Sequence, residues 1–490
     1  MSHLLYMLGA AALALFAPTQ TMLTSTRLFV VLGAIGLWRY GWLLLNLGRA
    51  VVYAAFVYPR MKSAAESHAV KFAINPHAYF LITSYRISEG VTRRVYLALF
   101  EAAMNSRGGA TVVASVVDAA DEILIRDIYQ SVPGADTAIE LEVLRIAGTG
   151  KRDALAIGLE TIRQMQPRPD DIVALVDGDS CVPRDIVKRA APFLAFDSRV
   201  GALTTDEVCI VDGGWLFQDW FELRFAQRQM MMCSMGLSRR VLTLTGRMSL
   251  FVARIAVDPD FIRHVKEDSI NHWRLGEVKF LTGDDKSTWF WLLRRGYQML
   301  YLPDVRAVSL EQQPSPGFMT SAKLLMARWY GNTLRNNGRS LRLGPGRIGF
   351  FTWWAILDQR LSMWTTLFGP AGAVLGSLFV DPFILPLYAA WVMLTRYAAC
   401  TVLTLFRGPF KVSYPFLLYF SQVFGAVLKA YVFFHPNHQK WTRQNTVLAG
   451  RGTGRGGTQA LTSIYMQTLA YGSLVTLIAM LMGLFDAGVL

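Results

Sequence analysis

Asp177-Gly178-Asp179 sets two carboxylates two positions apart at the end of the apolar run DIVALVDGDS (171 to 180). Carboxylates leaving a buried strand at this spacing can hold a hard divalent cation, which in turn neutralises a diphosphate. A polar strand end would look the same, so the motif needs company. Gly283-Asp284-Asp285-Lys286 follows a second apolar stretch, EVKFLT, and opens a helix. One carboxylate there is placed to take a proton from a hydroxyl nucleophile, although a helix N-terminus favours acids for its own electrostatic reasons. Gly148-Thr149-Gly150-Lys151-Arg152 brings two cations to another helix start, where they can meet phosphate or an anionic sugar group. It is not a Walker A loop, which needs glycine where Arg145 stands and Ser or Thr where Arg152 stands.

The elements that must carry these residues alternate. Strands are expected at 79–86, 110–118, 139–148 and 171–180, with helices at 92–106, 121–131 and 151–165 between them. Such alternation predicts a doubly wound, mostly parallel sheet, whose ligands sit beyond the carboxyl ends of its strands. Those ends are Ser84-Tyr85-Arg86, Asp118, 148–152 and 177–179, so polar residues gather at one edge. The histidines show no ligand spacing, and Met230 to Met232 fit a core. The glycine-rich run 450–457 lacks a preceding strand and is expected to be a loop.

The 490 residues are 53% apolar and only 17% charged, with mean hydropathy +0.31, which excludes disorder and points to a membrane protein. A net charge of +14 suits anionic lipid or an anionic substrate; nucleic acid is not expected. Four scattered cysteines give neither a zinc site nor a disulfide framework. Apolar runs at 2–17 and 28–48 predict two N-terminal spans. The stretch 63–345 has no long apolar run and is expected to be a cytosolic domain. Apolar segments return at 361–380, 384–405, 412–434 and 463–485. Because basic loops flank 412–434 on both sides, and Gln422 and Lys429 lie inside it, that segment is expected to be interfacial rather than crossing. The expected organisation is therefore 1–62 transmembrane, 63–345 catalytic, and 346–490 interfacial and transmembrane with a cytosolic loop at about 436–462.

S-Y-R (84–86), Asp118, G-K-R-D-A-L (150–155), D-G-D, G-D-D-K and a late Arg328-Trp329 occur in the order found in processive family 2 glycosyltransferases. The runs 225–249, 272–287, 328–337 and 440–444 resemble more narrowly the catalytic subunits of bacterial alginate polymerases, the mannuronan synthases. The resemblance covers the whole chain. It implies membrane-embedded helices flanking a cytosolic α/β domain of GT-A type in the bacterial inner membrane. It also implies GDP-mannuronate as donor, a growing β-1,4-mannuronan as acceptor, and a separate PilZ-domain subunit that binds cyclic-di-GMP within an envelope-spanning secretion complex. By the same resemblance, Ser84, Tyr85, Arg86, Asp118, Lys151, Arg152 and Asp177 would bind the donor, and Asp177 and Asp179 the metal, Mg²⁺ or Mn²⁺. Asp285 would be the general base, with Asp284 supporting it. Trp329 would stack on the terminal sugar beside Arg328. Trp441, Thr442 and Arg443 would form a gating loop over the diphosphate.

One departure stands out. The family writes Q-x-x-R-W, but Leu325 stands where the Gln belongs, so an amide to the acceptor is missing. A uronate acceptor carries a carboxylate on every sugar, and Arg239, Arg240, Arg247 and Lys286 are the cations expected to match it. The nearest alternative is the same chemistry on a UDP-sugar.

Overall fold

A computed structural model describes residues 1–15, 26–439 and 456–485. The expected loop residues Trp441, Thr442 and Arg443 lie outside the described residues.

The catalytic part is built on an eight-stranded sheet of order β3-β2-β1-β4-β7-β6-β10-β5. Its parallel half comprises β1 (Ala78–Thr83), β2 (Ala110–Val116), β3 (Ile139–Arg145) and β4 (Ile172–Asp177). The central strands of this half are almost wholly buried, as their continuous Val, Ile, Leu and Ala content requires of a sheet covered on both faces. The helices α1 (Glu89–Met104), α2 (Ala119–Ser131) and α3 (Lys151–Gln164) make the crossovers. Beyond β4 the sheet departs from a uniform parallel pattern. Strand β7 (Met248–Val252) runs antiparallel to both β4 and β6 (Val200–Asp212). Strand β10 (Gln298–Gln312) is parallel to β6, and the two-residue β5 (Ser180–Cys181) caps the edge. The expected strand before Gly283 is instead β9 (Gly276–Lys279), which pairs only with β8 (Ser269–His272) in a separate hairpin.

Further helices hold this domain to the apolar part of the chain. A near-continuous helical rod runs from Thr26–Val52 through a π-helical turn, Tyr53–Val57, into Tyr58–Lys71, across the expected boundary at 62. Trp215–Gly236 (α4), Asp284–Arg295 (α5) and Phe318–Leu341 (α6) belong to the catalytic part. Phe350–Phe379 (α7), Ile384–Leu403 (α8), Ser413–Phe434 (α9) and Gly456–Leu481 (α10) follow. One buried apolar cluster runs from Tyr53 through Phe80, Trp220 and Trp289 to Ile356 and Leu417, so sheet and helices share a core.

Among the described residues, three helices are long and apolar enough to cross a membrane: Val30–Lys71, Ser413–Phe434 and Thr458–Leu481. The N-terminal helix Ser2–Leu15 is apolar but has 14 residues, about 21 Å at 1.5 Å per residue and short of the roughly 30 Å hydrocarbon layer. Helix α7 begins eleven residues before the expected span at 361 and carries Asp358, which Arg39 of the N-terminal rod pairs at 2.8 Å.

Length and composition would let α9 cross, and it contacts the sheet-bearing part along its length. At its start, Ser413 Oγ donates to Asp219 at 2.6 Å and Lys411 pairs with the same carboxylate at 2.8 Å. In its middle, Trp220 Nε1 donates to Ser421 Oγ at 2.8 Å. Just beyond its end, the Leu281 amide donates to Gln439 Oε1 at 3.0 Å, and Arg274 Nη2 donates to the Phe434 carbonyl at 2.7 Å. Both ends of a helix about 33 Å long thus rest on one domain. Its polar residues are satisfied in place: Gln422 accepts from Arg396 at 2.8 Å, and Lys429 sits over the Tyr330 ring.

Candidate active site

The carboxyl ends of β1, β2 and β4 open onto a cavity of about 900 Å³ that reaches from Asp177 and Asp179 to Gln359 on α7. Lys151, the first residue of α3, stands at its centre. Its ammonium lies 2.6 Å from Asp177 Oδ1 and 2.8 Å from Asp284 Oδ2, joining the D-G-D and G-D-D segments through one cation. Burial works against charge on Lys151, yet the two carboxylates raise its pKa above the ordinary lysine value.

The geometry depends on two close backbone approaches. Gly283, the cap of α5, has φ +86° and lies so near Asn332 of α6 that a Cβ would stand 2.8 Å from that side chain. Any other residue would push the two acids away from α6. At Gly246 a Cβ would meet Asp177 Oδ2 at 3.0 Å and Lys151 Nζ at 3.1 Å, so the loop before β7 closes directly over the ion pair.

Asp284 and Asp285 are adjacent but sit in different fields. Burial raises the pKa of Asp285, the neighbouring Asp284 adds to the rise, and Thr243 Oγ1 donates to its Oδ2 at 3.4 Å. For Asp284 burial is overcome by Lys151 and then Arg152, and its pKa is lowered. Two acids whose environments push them apart can divide the work, one ionised throughout and one able to accept a proton. Asp177 is raised by burial, which Lys151 opposes and Asp179 and Asp284 reinforce.

The cavity wall contains Ser84, Tyr85, Lys151, Asp177, Asp179, Asp284, Asp285, Arg328 and Trp329. Trp329 presents one ring against Trp220, with centroids 5.8 Å apart, and the Arg224 guanidinium lies 4.1 Å over it. Leu325 is buried in the same wall. Three expected residues behave differently. Arg86 and Asp118 stand at the same sheet edge but outside the wall. Arg86 has φ +49° with its guanidinium beside the Tyr85 ring, and Asp118 caps α2. Arg152 points away from the cavity. Its guanidinium donates to the carbonyls of Val265 and Thr282 and to Ser287 Oγ, which ties α3 to the loop carrying Asp284. Trp329 and Arg328 do line the cavity.

Three of the four cations expected to meet an acceptor carboxylate, Arg247, Lys286 and Arg239, are engaged by the protein; for Arg240 the described residues give no ion pair, and its Nε is buried without a hydrogen-bond partner. Arg247 lies in the wall but pairs with Glu207 at 3.1 Å and with Glu311. Lys286 donates to the Leu242 carbonyl, and burial pulls its ammonium down to about 8. Arg239 pairs with Asp197 at 2.9 Å and donates to Gln298. Sequence reasoning missed Thr243, Arg224 and Glu311, whose positions in the wall depend on strand order and helix packing rather than on any local motif.

The acids suit a divalent cation that arrives with its ligand. A lysine ammonium already sits within 2.6 Å of Asp177, so the position accepts positive charge. Among the described residues no group of three or more His, Cys, Asp or Glu forms a metal cage. Asp177 and Asp179 could therefore supply only part of a coordination shell, with substrate phosphates completing it, as is usual for Mg²⁺.

Residues 76–332 match the family described as glycosyltransferase like family 2. The glycosyltransferase alg8 of Pseudomonas syringae pv. tomato is 40% identical over 448 residues, covering 91% of this chain and 90% of that protein. That of Azotobacter vinelandii is 40% identical over 446 residues, with the same coverage. Among solved structures, a mannosyltransferase of Pyrobaculum calidifontis in complex with GDP-Man and Mn²⁺ is 17% identical, covers 78% of this chain and 98% of its own, and superposes with a TM-score of 0.43. That likeness is too distant to bear on substrate or metal. With a family match over more than half its length and two full-length relatives at 40% identity, the chain belongs to the family 2 glycosyltransferases, in the group represented by alg8.

Proposed function

We propose that this glycosyltransferase is a mannuronan synthase: it polymerises GDP-mannuronate into β-1,4-linked poly-mannuronate, the alginate precursor, and passes the chain across the bacterial inner membrane. The observation that carries the reading is one cavity in which Lys151 joins Asp177 to Asp284, with Asp285, Trp329 and Gln359 of α7 in the same wall. Donor chemistry and the departing chain then share one connected space.

In this reading Asp285 accepts the proton of the chain end's 4-hydroxyl, a role its raised pKa favours. Asp284 stays ionised and holds Lys151. Ser84, Tyr85 and Asp177 bind the nucleotide half of the donor, and Trp329 stacks under the acceptor sugar. Asp177 and Asp179 would hold Mg²⁺ or Mn²⁺, which supplies charge neutralisation to the leaving diphosphate. A single displacement at the anomeric carbon turns an α-linked donor into a β bond. The catalytic domain lies in the cytosol. A PilZ-domain, cyclic-di-GMP-binding subunit and an envelope-spanning complex are the proposed partners.

The test uses membranes containing the full chain and its partner subunit, supplied with GDP-mannuronate and Mg²⁺ or Mn²⁺. A polymer digested by a mannuronan-specific lyase is the expected product. Failure to form it, or polymer formed from a UDP-sugar instead, overturns the reading. Protection from thermal unfolding by GDP and not by UDP is the matching binding result.

A further inference from the structure

Helix α6 turns one stripe of its surface to the cavity. Leu325, Trp329 and Asn332 stand along it at positions i, i+4 and i+7, which share a helix face, and all three line the cavity. Leu325 is apolar and offers no hydrogen bond. Asn332 does, and its amide has one orientation. The side-chain oxygen accepts from Thr282 Oγ1 at 2.7 Å and from Arg335 Nη2 at 2.6 Å. A guanidinium can only donate, so the oxygen must face Arg335 and the Nδ2 group must face the other way. Among the described residues Nδ2 has no protein partner, and it is not sealed from solvent.

The loop that carries the acids sets where this donor stands. Gly283 comes so near that a Cβ on it would lie 2.8 Å from Asn332 Cγ, and Asp285 follows two residues later in the first turn of α5. Trp329 is three positions before Asn332, about 4.5 Å along the helix axis. A sugar stacked on Trp329 with a hydroxyl at Asp285 therefore has Asn332 beside it. Stacking alone leaves such a sugar able to turn in its own plane. A directional donor on a rigid helix, already held by two hydrogen bonds, removes that freedom with little ordering cost of its own.

We propose that Asn332 is an acceptor-binding residue: its Nδ2 donates to a hydroxyl or carboxylate oxygen of the terminal acceptor sugar and turns the 4-hydroxyl toward Asp285. The assignment rests on the mannuronan reading above for the identity of the sugar and for the roles of Trp329 and Asp285, and adds to it the group that orients the chain end between them.

The experiment measures binding of an oligomannuronate and of a neutral β-1,4-linked glucose oligomer to the full-length chain in detergent with GDP present, together with the melting midpoint with and without GDP. Asn332→Asp keeps an oxygen for Thr282 and Arg335 and loses only the donor. It should bind the oligomannuronate about tenfold or more weakly, with melting and GDP protection close to those of the wild type. Asn332→Ala should share the weaker binding and also melt lower, because Thr282 and Arg335 lose their acceptor. Wild-type affinity in the Asp variant overturns the assignment. So does a loss confined to the Asp variant, which marks charge repulsion, or a loss of GDP protection in that variant, which marks a structural role. Should the wild type bind the neutral oligomer and not the oligomannuronate, the mannuronan reading fails while the same variants judge Asn332 on the neutral chain; binding of neither oligomer overturns both.

Discussion

Replacing Lys151 by Met, which keeps the stem and removes the ammonium, isolates the cation that joins the two acidic motifs. In the wild type that ammonium lies 2.6 Å from Asp177 and 2.8 Å from Asp284, with 16%, 28% and 15% of the three side chains exposed. Removing one partner of a buried pair costs roughly 3–5 kcal/mol, and because these side chains keep some surface toward the cavity the lower figure, about 3, applies. An unfolding entropy of about 2.1 cal/mol/K per residue gives about 1 kcal/mol/K for a chain of this length, so the melting midpoint should fall by about 3 °C in EDTA. Divalent metal should then do more for the variant than for the wild type. Asp177 and Asp284, freed of Lys151, would share a cation, and saturation at a hundredfold over Kd returns about 2.7 kcal/mol. The assay is thermal unfolding of the detergent-purified chain at one scan rate, in EDTA and in Mg²⁺ or Mn²⁺, with Lys151→Arg as the charge-keeping control. A variant that melts with the wild type in EDTA, or a metal response equal in both chains, refutes the argument.

Asp285→Asn should lower turnover on the order of a hundredfold or more, with GDP protection unchanged, because the base is lost and the fold is not; near-normal polymerisation would remove Asp285 from the role. Gly246→Ala places a methyl 3.0 Å from Asp177 and 3.1 Å from Lys151, and the displaced pair should lower polymer synthesis by about tenfold or more. A wild-type rate in that variant would show that the loop yields freely. Burial holds His264 down to about 4 from 6.5; Asp268 opposes this, and Arg339, Arg294 and Arg152 add to it. The unfolded chain therefore binds more protons between those values, and stability is lost as pH falls from about 6.5 to about 4, by roughly 3 kcal/mol in total. His264→Gln should flatten that part of the pH–stability curve, and an unchanged curve would exclude His264 as its source.

The alternation of apolar strand runs with helices made β1 to β4 and their crossovers legible, and the acids at the strand ends followed. What lay beyond was hidden for physical reasons. MSLFV carries no mark of strand direction, so the antiparallel β7 between β4 and β6 could not be foreseen, yet it is β7 that brings Gly246 over Lys151. Lys151 and Arg152 look equivalent in the sequence, but the rotation of about 100° between adjacent helix positions sends the first into the cavity and the second behind it. Arg247 looked available to a substrate because its partners, Glu207 and Glu311, come from β6 and β10 and meet it only in the folded sheet. Arg224 carried no motif at all; it reaches the wall because α4 packs against Trp329 of α6.

The ion pairs outside the site explain why the sheet and the apolar helices form one body. Asp206 and Glu207 are consecutive and fully buried on β6, and alternation along the strand sends them to opposite faces. Asp206 pairs with Arg407, in the connection between α8 and α9, at 2.6 Å, while Glu207 pairs with Arg228 and Arg247. One strand thus fixes the apolar helices through one side chain and the cavity wall through the next. Arg247 adjoins the Gly246 that closes over Lys151, so a shift of the α8–α9 connection would be transmitted along two residues of rigid strand to the catalytic ion pair. A single-domain enzyme on a flexible tether would have no need of such buried charges, whose desolvation cost is substantial. Here they hold the register between the cavity and the apolar helices packed against it.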